Sequence, residues 1–149
     1  MQVVIGGDHA GYGLKEELAA LLIGAGHDVT DVGTDSTDPV DYPDYAAAVA
    51  REVASGNAER GIIVCGSGAG ASIAANKIEG IRAATVHDAY TAHQAVEHDD
   101  MNVLALGARV IGVAAAEEIV SRFLGATFSG EERHIRRLGK VNELDRARR

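Results

Sequence analysis

One cysteine, two prolines and no tryptophan occur among 149 residues. A single cysteine excludes an intrachain disulfide framework and suits a reducing compartment. Aromatic residues amount to 4%, so a core must be built from Ala, Val, Ile and Leu, which the 46% hydrophobic content allows. No apolar run approaches the roughly 20 residues of a membrane span. The opening stretch MQVVIGGDHAG has neither a basic region nor a long apolar run, so no signal peptide is expected. A cytoplasmic, soluble chain follows, folded as one domain over residues 1–149.

Positive charge is scarce outside one segment. Arg133 to Arg149 holds seven Lys/Arg against two Asp/Glu, whereas the whole chain carries −8. A basic segment on an acidic body can grip an anion, or it can be a solvated helix face. The acidic body argues against nucleic-acid binding, because a phosphate backbone would be repelled over most of the surface.

What is present is an alternation of short apolar runs with helical periodicity. Gln2 to Gly6, His27 to Val32, Gly61 to Cys65, Arg82 to Val86 and Asn102 to Gly107 read as strands. Between them, stripes such as Leu14, Leu18, Leu21 and Leu22, or Ala46, Val49, Ala50 and Val53, read as helices. Asp35 to Asp44 is a loop carrying both prolines, and a polar helix follows Gly130. Five β-α repeats with an extra C-terminal helix predict an α/β fold, a doubly wound three-layer sandwich on a five-stranded parallel sheet. The expected strand order is 2-1-3-4-5. Ligands of such sheets bind at the carboxyl ends of the strands where the winding reverses, here between strands one and three. That topology brings Asp8, His9 and Cys65 together.

Cys65 is followed by Gly-Ser-Gly-Ala-Gly and then a helix-like run. A glycine loop at a helix start presents backbone N–H groups that favour anions. The same surroundings depress a cysteine pKa, so an ionised, basic Cys65 is expected, with the loop amides holding an oxyanion. Cys65 could instead be a small core residue. Gly66 to Ala71 also fits a dinucleotide fingerprint, but no second domain remains to hold a redox substrate. The P-loop lysine is absent.

Several blocks together carry a resemblance. Gly7-Asp-His-Ala-Gly11, Asp41-Tyr-Pro43, Cys65 to Lys77, Gly80-Ile-Arg-Ala83, Asn102 to Arg109 and Arg133-His134 resemble, in order and nearly end to end, the B-type ribose-5-phosphate isomerases. The wider family also isomerises allose, galactose and erythrulose phosphates. The resemblance implies aldose–ketose isomerisation through a cis-enediolate, with no organic cofactor and no metal. It implies Cys65 as the base, with Ser67 assisting, and the N–H groups of Gly66, Gly68, Ala69 and Gly70 holding the enediolate. Asp8 and His98 match residues for ring opening and the sugar hydroxyls. His9, Arg109, Arg133 and Arg137 match residues around the phosphate, and Tyr42 a substrate-contacting tyrosine. Taken singly, these residues also have structural readings: Asp8 as a helix cap, Tyr42 as a packing lid, the arginines as solvated charge. His27, His87, His93 and His134 are read as structural, and no His pair has metal-ligand spacing with a third donor.

One position departs from the family. Asp99 stands where the family usually has Asn, and an ionised Asp accepts hydrogen bonds only. It is protonated in the complex, turned away, or facing a donating hydroxyl; alternatively Asp99 and Asp100 only cap the loop. His98 ends a helix before the last strand, so it is expected at the opposite end of the sheet from Cys65. A homodimer with shared active sites follows, and the family is dimeric, sometimes tetrameric. The partner is a small sugar phosphate, with no membrane and no nucleic acid. The rival from another class is a non-catalytic nucleotide- or phosphate-binding module using the same loop.

Overall fold

A computed structural model describes residues 1–148. Elements alternate as β1 (Gln2–Gly7), α1 (Tyr12–Gly24), β2 (Asp28–Asp31), α2 (Tyr42–Ala54), β3 (Arg60–Cys65), α3 (Ala69–Ala75), β4 (Ala83–Thr85), α4 (Ala89–Asp99), β5 (Val103–Gly107), α5 (Val113–Gly125) and α6 (Glu132–Ala147). All strand pairs are parallel, as the α/β reading expects. Pro43 falls in the first turn of α2, where its missing N–H costs nothing, so that helix starts inside the expected loop. Among the described residues no helix is long and apolar enough to cross a membrane.

The strand order is β2-β1-β3-β5-β4, which corrects the expected 2-1-3-4-5. The reason lies in burial. All five residues of β5 are buried, whereas the three of β4 are only partly covered. The more apolar strand takes the central place beside β3, and β4 becomes an edge. Right-handed crossovers then put α4 on the same face as α1 and α5. The other edge, β2, is Asp-Val-Thr-Asp and mostly exposed; it is not the apolar run expected of every strand. Charge on an edge discourages pairing with other chains.

Side chains alternate across the sheet and build two cores. Val3, Ile5, Ile62, Val64, Leu104 and Leu106 face α1, α4 and α5 and meet Leu18, Val96, Ile119 and Phe123. Val4, Ile63, Cys65, Val103 and Ala105 face α2 and α3 and meet Ala46, Val49, Ala50, Ala71 and Ala75. The second layer is built from small residues, and Cys65 belongs to it.

Two polar side chains secure the edges. Lys15 on α1 is 1% exposed and bonds Asp31 Oδ2 at 2.5 Å and Glu16 Oε1 at 2.8 Å, which fastens β2. Burial works against the Lys15 charge, but these carboxylates outweigh it and raise its pKa. Asn76, just past α3, accepts from Ala83 N–H and donates to Ala83 O, both at 2.8 Å. Its amide thus stands in for a neighbouring strand along the free side of β4. Asn76→Ala removes both bonds and is expected to destabilise the fold by about 2 kcal/mol. A urea midpoint unchanged from the wild type would contradict this account of the edge.

Candidate active site

The residues at the carboxyl ends of β1 and β3 converge because the two strands are adjacent and in register, Gly7 beside Val64. Asp8, His9, Tyr42, Cys65, Gly66, Ser67, Gly68, Gly70 and Arg109 line one cavity of about 360 Å³. Nine of the residues singled out in the sequence therefore share one site. Ala69 opens α3 beside them, its N–H donating to Ser67 Oγ at 3.3 Å.

Each side chain is held by a local device. Asp8, only 7% exposed, accepts from the N–H groups of Ala10 (3.0 Å) and Gly11 (3.2 Å) through Oδ1. It shapes the turn before α1, while Gly11 itself caps that helix. His9 Nδ1 accepts from Val40 N–H at 3.1 Å, so the neutral ring carries its proton on Nε2. That bond pins the loop before α2 to the site. Tyr42, the first residue of α2, lays its ring on the start of α3. A Cβ at Gly70 would fall 2.6 Å from that ring, so a larger residue there would displace the tyrosine. Gly68 caps α3 with φ +82°, and the first turn of α3 leaves N–H groups without intrahelical acceptors. Arg109 N–H donates to Gly66 O at 3.0 Å, and its exposed guanidinium lies over Gly66.

The thiol does not behave as the glycine loop suggested. Cys65 is 4% exposed, and burial pushes its pKa from 9.0 up to about 12. The Asp8 backbone N–H opposes the rise, while the Asp8 carboxylate adds to it by its charge and by accepting from the thiol. The expected ionised Cys65 is thus a protonated thiol here, because alternation along β3 turns it into the alanine layer. It still lines the cavity and is not sealed away.

Four candidates lie elsewhere. His98, at the end of α4, bonds Gln94 Nε2 through Nδ1 at 3.0 Å and stacks on His134 with ring centroids 4.1 Å apart. Arg133 and Arg137 flank His134 on α6, and Arg133 pairs with Glu131. Desolvation, His98, Arg133 and Arg137 lower the His134 pKa against the pull of Glu131. Asp99 is exposed and borders a separate cavity of about 460 Å³ with Arg82, Leu144 and Arg148. Asp100, not Asp99, closes α4 in the left-handed region (φ 51°) and pairs with Arg82 at 2.9 Å. Among the described residues no three His, Cys, Asp or Glu side chains gather to hold a metal. His87, read from the sequence as structural, accepts from Gly107 N–H through Nε2 at 2.9 Å, at the carboxyl end of the sheet just past β4.

Comparison with known proteins matches residues 3–141 to a family described as ribose/galactose isomerase. The chain is 44% identical over 147 residues to ribose-5-phosphate isomerase B of Escherichia coli, covering 99% of this chain and 98% of that one. It is 40% identical to D-erythrulose-4-phosphate isomerase 2 of Mycolicibacterium smegmatis, covering 97% and 95%. The solved structure of Clostridium thermocellum ribose-5-phosphate isomerase B superposes with a TM-score of 0.97 at 48% identity, covering both chains fully.

The thiol's environment has a measurable consequence. Asp8→Asn keeps the acceptor for Ala10 and Gly11 but removes the charge that raises the Cys65 pKa. Alkylation by iodoacetamide at pH 8 is expected to quicken severalfold, with its pH midpoint moving down toward 9.0 without reaching it, since burial remains. A slower reaction in the variant would show that the carboxylate does not hold the proton on sulfur.

Proposed function

The chain belongs to the ribose/galactose isomerase family, and we propose that it interconverts ribose 5-phosphate and ribulose 5-phosphate with Cys65 as the proton-transferring base. The observation that carries this reading is the opening of Cys65 into a cavity walled by Asp8, His9, Tyr42, the glycine loop and Arg109. A proton next to a carbonyl is weakly acidic, so its removal needs both a base and a stabilised enediolate. Cys65 takes the proton from C2 and returns it to C1. The N–H groups of Gly66, Gly68, Ala69 and Gly70 hold the enediolate oxygens, with Ser67 assisting proton movement between them. Asp8 works on the ring and hydroxyls, Tyr42 orients the sugar, and His9 and Arg109 face the phosphate.

His98, Arg133 and Arg137 complete the site from a second copy of the chain. Within one copy, the chain passes from His98 into the amino end of β5, while Cys65 lies beside its carboxyl end at Gly107. Four residue steps of strand put these ends about 13 Å apart, too far for one side chain to bridge. A homodimer brings the two halves together, and the arriving cations act against burial to lower the thiol pKa. The enzyme works in the cytoplasm, without metal or organic cofactor.

Erythrulose 4-phosphate is the second substrate reading, favoured by the 40% identical relative. An isomerase assay on ribose 5-phosphate, ribulose 5-phosphate, allose 6-phosphate and erythrulose 4-phosphate separates the substrates. Cys65→Ala is expected to lower turnover about a thousandfold. Turnover that survives this change, or survives complete alkylation of Cys65, defeats the base assignment. Asp99→Asn is expected to raise turnover of ribose 5-phosphate, and an unchanged or lower rate counts against a role for Asp99 at the substrate.

Shared sites predict complementation. Cys65→Ala and His98→Ala chains, each inactive alone, form mixed dimers in which one site is intact and the other doubly damaged. After statistical exchange about a quarter of all sites regain activity. A fully active monomer, or mixing that restores nothing, refutes sharing.

A further inference from the structure

The end of β5 extends beyond its neighbour. β4 stops at Thr85, and its last bond to β5 is Val86 N–H to Ala105 O at 3.3 Å. β5 continues to Gly107, whose N–H would be the next rung of a parallel ladder. No strand carbonyl takes it; His87 Nε2 accepts it at 2.9 Å. An accepting Nε2 means a neutral imidazole with its proton on Nδ1.

That rung sits at the site. Gly107 pairs with Cys65 in register, and the turn after it is held by Ala108 N–H to Cys65 O (2.8 Å) and Arg109 N–H to Gly66 O (3.0 Å). A Cβ at Gly107 would fall 2.6 Å from Ser67 O, so the strand end and the glycine loop touch without slack. His87 is absent from the cavity wall, whereas Arg109 is part of it.

We propose that His87 is a positioning residue: its neutral imidazole terminates β5 at Gly107 and thereby fixes the turn that aims Arg109 at the substrate phosphate. This rests on the proposed function for the role of Arg109. The contact itself is geometric and is tested apart from turnover.

The experiment uses the full chain with His87→Ala and His87→Gln, since a Gln Oε1 places an acceptor at about the reach of Nε2. With the sugar phosphate that the wild type turns over best, His87→Ala is expected to raise KM about tenfold with a smaller fall in kcat, and His87→Gln to recover most of the loss. In an Arg109→Ala background, adding His87→Ala is expected to change KM less than about twofold, because both act through one guanidinium. Without substrate, amide hydrogen exchange over residues 107–109 is expected to accelerate in His87→Ala and stay slow in His87→Gln. A KM unmoved by His87→Ala, or a full tenfold rise that persists beside Arg109→Ala, overturns the proposal. Should the wild type isomerise no sugar phosphate, the proposed function falls and exchange alone decides His87: no acceleration overturns it. If His87→Ala does not fold, His87→Asn, whose acceptor is one bond short, takes its place in every arm.

Discussion

The site depends on the contact between the Asp8 turn and the end of β3. Adjacent parallel strands bring the two chain segments to the same edge, but at ordinary strand spacing their loops would diverge. Here the turn closes down on β3 so tightly that a Cβ at Gly11 would lie 1.8 Å from Val64 O. Glycine removes that obstacle. Asp8 then locks the turn by accepting from Ala10 and Gly11, and its carboxylate charge works against ionisation of the Cys65 thiol beside it. The cavity, the placement of His9 against Val40 and the orientation of the thiol all follow from this closure.

The same closure sets an energetic problem that the free chain does not solve. Moving a thiol from 9.0 to about 12 amounts to roughly 4 kcal/mol against the thiolate. A helix start with free amides favours a thiolate, but only where the sulfur points at them; here the sulfur points into an alanine layer beside a carboxylate. An opposite charge brought within about 4–6 Å lowers a pKa by 1–3 units, so one or two well-placed cations are of the right size to offset burial. The Arg133–Arg137 pair is that kind of resource, and it is carried on α6, apart from the thiol's cavity within one chain. In the function proposed above, a base activated only when a second copy completes the site keeps the lone cysteine unreactive in isolated chains.

Much of the fold was legible in the sequence because β-α alternation and apolar runs report local structure directly. The meeting of Asp8, His9 and Cys65 was legible too, since it needs only the reversal of winding between β1 and β3. The strand order was not: two successive β-α units look the same whether the next strand lands beside the last or one place beyond it. The deciding difference, a fully buried Val-Leu-Ala-Leu-Gly against a partly covered Ala-Ala-Thr, is quantitative and depends on what covers each strand. The sign of the thiol shift was hidden for a related reason. The glycine loop is visible in the sequence, but which face of β3 Cys65 occupies depends on the packing of Ile63 and Cys65 against α2 and α3.

His87 shows why a side chain outside the cavity wall can matter as much as one within it. A sheet ends raggedly when neighbouring strands differ in length, and each unmatched N–H at that end must find an acceptor. In a doubly wound fold the ragged end is also where ligands bind, so the groups that finish the ladder are those that set the loops around the ligand. Water could finish a rung, but it would leave the turn free to shift. An imidazole carried on the chain after β4 ties the turn to a second strand instead. By this logic the edge strand β4, which supplies no wall of the cavity, still governs it, through one ring nitrogen at Gly107 and one hydroxyl at Thr85 that donates to Gly68 O at 2.9 Å.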